Sequence, residues 1–223
     1  MQEALDNPIW QALTTAQAHF AERANGAARF PPAVTALAGL AAPDAVGALA
    51  ELVRAGEPAG LLLDDDPLAL PAALVEVDEA PVLQMIHDGP APAMPDGMEE
   101  LGMTDGAAML ALAEATRPGP FGTRTAELGV FLGIRAGRQL VAMAGQRMRL
   151  PGLIEVSGVC TDPGHLGRGH AARLVAAQLA VIRGSGDGAF LHVRADNARA
   201  IALYERAGFR ARRLFRYLVV RRG

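Results

Sequence analysis

The stretch Leu153–Ala172, LIEVSGVCTDPGHLGRGHAA, constrains this chain more than any other. Its first part, apolar and rich in β-branched residues, predicts a strand over Leu153–Thr161. A Pro-Gly turn follows, then Gly167 and Gly169, then an amphipathic helix predicted over Gly169–Arg183. Glycines at a strand-to-helix junction let the backbone come close to a ligand. The first amides of the helix, which have no partner within it, are then free to hold an anion. Such a segment suits a phosphorylated ligand.

The rest of the sequence narrows the setting. Of the 223 residues 51% are hydrophobic and 20% charged, which is enough apolar material for a packed core in one large or two small units. The formal net charge of −3 argues against nucleic acid as the partner. All 21 basic residues are arginine, so a phosphate loop ending in Gly-Lys and a Schiff-base lysine are both excluded. Cys160 is the single cysteine; an intramolecular disulfide or a cysteine-based zinc site is therefore excluded, and no metal is expected. MQEALDNPIW lacks the layout of a signal peptide, and the alanine-rich runs are broken well short of a membrane span. A cytoplasmic protein without a membrane partner is expected.

Along the chain, helices are predicted over residues 6–24 and 44–54, followed by strands at Gly60–Leu63, Ala73–Val77 and Val82–Ile86. Gly89–Gly97, with three prolines, reads as a linker over 90–97 between an N-terminal α/β unit, 1–89, and a main domain, 98–223. Thr104 is expected to cap a helix ended by Arg117-Pro-Gly-Pro-Phe121, a stiff loop suited to a cleft wall. Glu127–Ile134, Gln139–Gln146 and Leu153–Thr161 predict an antiparallel meander. Ala189–Arg194, reached through a helix, is expected to lie parallel to the strand before it. Asn197 is expected to cap a last helix ended by Gly208, and the arginine-rich Arg212–Arg221 reads as an exposed edge strand. The fold class is α/β with a mixed sheet.

Gly167-x-Gly169-x-x-Ala172 matches the dinucleotide fingerprint, with Asp196 near the end of the next strand. Against it, five residues separate the strand from the glycines, too few strands follow, and the preceding strands read as antiparallel. A second pattern uses more of the residues. Leu166-Gly-Arg-Gly-His-Ala171 and Asn197-x-x-Ala-x-x-Leu-Tyr204-x-x-x-Gly-Phe209 together resemble the GCN5-related N-acetyltransferases over roughly 98–223. Within that family the run through Leu140-Val-Ala-Met-Ala-Gly and Phe190-Leu-His-Val resembles the FR47-like bacterial subgroup, whose N-terminal extension 1–89 would match as a degenerate acetyltransferase half.

The resemblance implies acetyl-coenzyme A as co-substrate and acyl transfer to a primary amine by direct attack in a ternary complex. The acceptor would be a small-molecule amine or a protein amino group, and a homodimer is compatible with it. The diphosphate would rest on Leu166, Gly167, Arg168, Gly169, His170 and Ala171, and the pantetheine arm along Val159, Cys160 and Thr161, with Asn197 nearby. Leu166 stands where the family's signature has Gln or Arg, which removes a side-chain contact. Tyr204 falls on the tyrosine that protonates the leaving thiolate. Glu155 is the leading base, as a carboxylate in an apolar strand whose burial would raise its pKa; a strand-edge glutamate pairing with an arginine or a substrate ammonium is the equal alternative, and His192 is the reserve. A non-catalytic coenzyme-binding module and, less favoured, an NAD-binding enzyme stay open.

Overall fold

The computed structural model describes residues 3–64 and 67–223. In chain order the elements are α1 (Pro8–Thr14), β1 (Glu22–Ala24), β2 (Ala27–Arg29), β3 (Ala38–Leu40), α2 (Val46–Leu52), β4 (Pro58–Leu63) and β5 (Leu74–His87). Then follow β6 (Glu99–Leu101), α3 (Gly106–Thr116), β7 (Phe131–Ala136), β8 (Gln139–Leu150), β9 (Leu153–Thr161), α4 (His170–Gly184), β10 (Gly188–Arg194), α5 (Ala198–Arg206) and β11 (Phe209–Arg222). Eight strands form one mixed sheet in the order β4-β11-β5-β10-β9-β8-β7-β6, and β1-β2-β3 form a small second sheet.

β7, β8 and β9 are the antiparallel meander that the sequence predicts, and β10 runs parallel to β9 after the crossover through α4. Helices α4 and α5 cover one face of the sheet, where Val175, Leu179, Ile182 and Tyr204 pack on Ile154, Val156, Leu191 and Val193. On the other face Leu5, Ile9 and Leu13 of the N-terminal unit pack on Met148, Leu150, Leu153 and Phe190. Farther along that face, α3 lays Met109, Leu112 and Ala113 against Phe131, Met143 and Cys160. These two faces carry different chemistry at the site.

Several expectations change. The helix predicted over 6–24 is shorter, because Thr15 ends α1, a 3-10 turn takes Ala18–Phe20, and the chain then enters β1. The Asn7 amide donates to Leu40 O at 2.7 Å, tying the start of α1 to β3. Asp105, not Thr104, satisfies the start of the α3 segment by accepting from Gly102 N at 3.0 Å. Thr125–Leu128 is a 3-10 turn, so β7 begins at Phe131. The two short strands predicted at Ala73–Val77 and Val82–Ile86 are one strand, β5.

β11 is not an edge strand. It lies between β4 and β5, and its arginines are held by acids of the N-terminal third: Arg213 by Asp6 and Asp64, Arg216 by Glu79. Alternation with arginine, characteristic of an exposed edge, is here satisfied by carboxylates on neighbouring segments. Residues 1–89 therefore supply two strands, β4 and β5, to the same sheet as residues 98–223. The segment between them, from Asp88 to Met98, has no helix or strand.

Candidate active site

The site begins where two parallel strands part. β9 and β10 pair only at Leu153–Glu155 with Gly188–Phe190. Beyond Phe190, β10 is paired to β5 alone and β9 to β8 alone, so the two strands splay and leave facing edges of backbone free. A bulge in β9 accompanies the opening: the register with β8 slips between Met143 and Gly145, and Gly158 takes φ +61°. Past the bulge Val159 packs toward α4, and Cys160 toward α3.

A cleft of about 860 Å³ runs from this opening along α4 and α5. It is lined by Val159, Cys160, Thr161, Leu166, Gly167, Gly169, His170, Ala171, Asn197 and Tyr204. Of the residues the sequence assigns to coenzyme and catalysis, Arg168 does not line this cleft and Glu155 lies elsewhere. Gly167 and Gly169 hold φ +77° and +76°, a left-handed backbone open to glycine, and a Cβ at either would point into open space. The turn delivers the chain to α4, whose first amides have no acceptor inside the helix. Asn197 accepts from Ala200 N at 3.1 Å and fixes the start of α5, and with it Tyr204.

Two buried polar atoms in the cleft have no hydrogen-bond partner among the described residues: Thr161 Oγ1 and His170 Nδ1. Burial, reinforced by Arg173, Arg168 and His165, holds the His170 pKa below its usual value. Tyr204 is 9% exposed, and burial with nearby Cys160 pushes its hydroxyl up to about 12. Cys160 itself is raised to about 11 by burial, against hydrogen bonds with Thr116 and the Met143 backbone, which leaves it a protonated and unreactive thiol. Gly89, Pro90 and Pro92 also line the cleft, although their sequence reads only as a linker.

Glu155 requires a correction. It is fully buried, on the face away from α4, and accepts from Arg147 Nε at 2.8 Å and Nη2 at 2.6 Å. His192 Nδ1 lies 2.7 Å from Oε1, the oxygen that also accepts from Arg147 Nη2, and Met148 N donates to Oε2 at 3.3 Å. Burial pushes the carboxyl up as expected, but Arg147 and His192 outweigh it and hold the pKa at about 2. A carboxylate that far below neutrality is a poor proton acceptor, so the expected base is instead half of a buried ion pair. The alternative pairing with arginine is the arrangement found.

A bulge explains why Arg147 was missed. The register between β8 and β9 slips between Gln146 and Arg149, so Arg147 and Met148 stand together opposite Glu155. Counted back from the Leu150–Leu153 hairpin, strict alternation would have sent Arg147 to the α4 face. Gln146 does face that side and donates to Gln178 of α4 at 3.3 Å. The network continues from His192, whose Nε2 is 3.1 Å from Gln84 Nε2. The carboxylate fixes the tautomer: Nδ1–H donates to Glu155 and Nε2 accepts from Gln84. Gln84 also donates to Leu5 O at 3.0 Å and accepts from Arg212 at 2.9 Å, and Arg212 reaches Asp6 at 2.6 Å. His192, the reserve base, is thus occupied at both nitrogens.

Among the described residues no three His, Cys, Asp or Glu side chains converge as metal ligands, and no helix is long and apolar enough to cross a membrane.

Comparison with known proteins agrees with this geometry. The family model for FR47-like proteins matches residues 131–218, from β7 into β11. A GNAT-family protein of known structure from Novosphingobium aromaticivorans is 42% identical, with 98% of each chain covered and a TM-score of 0.92. A GCN5-related N-acetyltransferase from Kribbella flavida shares the fold at 20% identity, with 95% of each chain covered and a TM-score of 0.60. Among curated proteins none matches the chain. The full-length match at 42% identity, on a fold whose central strands part over a left-handed glycine turn, shows that the chain belongs to the GCN5-related N-acetyltransferase family of acyltransferases.

Proposed function

We propose that this enzyme transfers an acetyl group from acetyl-coenzyme A to a primary amine by direct attack in a ternary complex. The observation that carries the reading is the parting of β9 and β10 above the Gly167–Gly169 turn, with Tyr204 beside it. The residues present fit the coenzyme. Free strand edges can accept an extended amide-bearing arm, the open amides of α4 suit a diphosphate, and Thr161 Oγ1 and His170 Nδ1 are buried atoms still wanting partners. Bound there, the coenzyme supplies an activated acyl thioester.

The protein's part is to position and to balance charge. The amides from Leu166 to Ala171 and the positive end of α4 hold the anion, while Asn197 fixes the helix that carries Tyr204. Tyr204 donates to the sulfur as negative charge develops there. A thiol has an ordinary pKa near ~8.5, so complete transfer from a hydroxyl at about 12 is uphill by roughly 5 kcal/mol. Tyr204 therefore releases its proton only as the proton shed by the amine arrives to replace it. With Glu155 held ionised near 2, the amine enters the reaction as its free base, and the rate climbs with pH toward the amine's own pKa.

Calorimetric titration with acetyl-coenzyme A, followed by thiol release over an amine panel, tests this. Micromolar binding and turnover on at least one amine are expected; no heat at high micromolar coenzyme would overturn it. Tyr204→Phe is expected to lower kcat ~100-fold with little change in coenzyme affinity.

A further inference from the structure

We propose that the acceptor amine carries a carboxylate close to its nitrogen, as in an α- or β-amino acid, and that Arg147 holds it. This rests on the acetyltransferase reading and names the substrate class that reading leaves open.

Arg147 is a guanidinium with only 11% of its side chain exposed. Glu155 engages Nε and Nη2, while Nη1 is turned toward the Arg117–Phe121 loop, 3.8 Å from where a Cβ on Gly119 would stand. There it borders a recess of about 10 Å³ formed with Pro118, Phe121, Ser157 and Gly158. That is room for roughly one oxygen-sized atom. Nη1 makes no hydrogen bond among the described residues, and a guanidinium donor facing so small a space takes up an acceptor atom, a charged one with the stronger bond.

The recess opens beside a wider cleft of about 390 Å³, lined by Leu110, Ala113, Glu114, Arg117, Gly119 and Phe121. The two share Gly119 and Phe121, so the loop forms a common wall. Arg117 makes no ion pair among the described residues and is the one non-glycine with positive φ there, at +49°. A left-handed arginine at the mouth of a cleft is an unfavourable backbone kept in place by its surroundings. It puts a positive charge at the entrance, with Glu114 the carboxylate on the same wall. The negative charge of Glu155 is turned away from the recess, held between Arg147 and His192.

Spacing sets the distance from nitrogen to carboxylate. Ser157 and Gly158 border the recess, and Val159 opens the coenzyme cleft one to two residues along β9. At about 3.3 Å per residue, the backbone bordering the recess lies roughly 3–7 Å along β9 from the backbone that opens that cleft. An amine held by its own α- or β-carboxylate spans that distance; a long spacer would not.

The test compares leucine, leucinamide and isopentylamine, and phenylalanine with phenylalaninamide and phenethylamine, as acceptors for the intact enzyme with acetyl-coenzyme A. Rates are expressed per free amine. The acid is expected to exceed both neutral relatives in kcat/KM by ~10–100-fold, the range of a charge-assisted hydrogen bond. Ser157→Val, which fills the recess and leaves the Arg147–Glu155 pair in place, is expected to collapse that ratio toward one, as is Arg147→Lys. Equal rates for acid, amide and amine would overturn the proposal, as would a ratio that survives Ser157→Val. A parallel calorimetric titration of the coenzyme A-loaded protein with leucine and isopentylamine reads binding without turnover. Leucine binding alone supports the carboxylate site; equal or no binding of the two overturns it. Loss of acetyl-coenzyme A binding itself would instead overturn the transferase reading.

Discussion

The two faces of the β9–β10 pair solve opposite problems. Toward α4 and α5 the surface is built from backbone and small residues: free strand edges, left-handed glycines and unpartnered amides. On the other side a chain of ionised and polar side chains runs from the buried Arg147, Glu155, His192 and Gln84 to Arg212 and the exposed Asp6. The first face is permissive, so that a ligand can supply what is missing. The second is already satisfied internally, and only Arg147 Nη1 is turned outward from it. One face thus offers open backbone, whereas the other offers a side chain held rigid by its neighbours.

The comparison can be broken most sharply on the charged face. Glu155→Gln leaves Arg147 as a buried cation without its counter-charge and is expected to cost ~3–5 kcal/mol in urea unfolding at pH 7. The pH dependence carries the sign. The carboxyl's folded pKa of about 2 lies below its ordinary 4.5, so its contribution is full above about 4.5 and disappears as pH falls through about 2. The wild-type advantage over Glu155→Gln should therefore shrink across that interval; an advantage independent of pH would sink the ion-pair account.

On the backbone face a smaller effect of another kind is expected. Gly169→Val forces a branched residue to φ +76°, at ~1–2 kcal/mol, and crowds the anion turn. Acetyl-coenzyme A affinity by calorimetry should weaken ~10–30-fold with stability falling only by that strain. The smallest change sharpens the contrast by gain. Leu166 is 49% exposed on the cleft, and Leu166→Gln restores the polar side chain that the family's signature has there. One added hydrogen bond is expected to tighten coenzyme binding ~2–10-fold; an unchanged dissociation constant would mean that the backbone already suffices.

The same contrast explains what could be read in advance. The left-handed turn and the starts of α4 and α5 were legible because glycine spacing, a strand-to-helix junction and an Asn cap are local signals, and each fixes backbone within a few residues. Val159, Gly167, Asn197 and Tyr204 accordingly come together in one cleft. The fate of Glu155 was not legible, because it depends on a one-residue slip that places Arg147 and Met148 opposite it, and period-two reasoning cannot foresee a bulge. Nor was the position of β11, since its arginines find partners at Asp6, Asp64 and Glu79, far away in sequence. Long-range pairing decides the place of β11, and no window of residues contains it.

The insertion of β5 between β10 and β11 bears on how the molecule is made. A ribosome delivers β5 well before either of its neighbours, because β10 and β11 belong to the last part of the chain. Until synthesis ends, a long strand with apolar stretches waits with both hydrogen-bonding edges bare, the condition under which nascent chains stick to one another. Closing the sheet then requires pairing over most of the sequence, a slow class of event. Production of this enzyme should accordingly depend on holding chaperones and on temperature more than its final stability would suggest, and a shortened version starting at residue 98 would leave β10 and β11 without the strand that joins them.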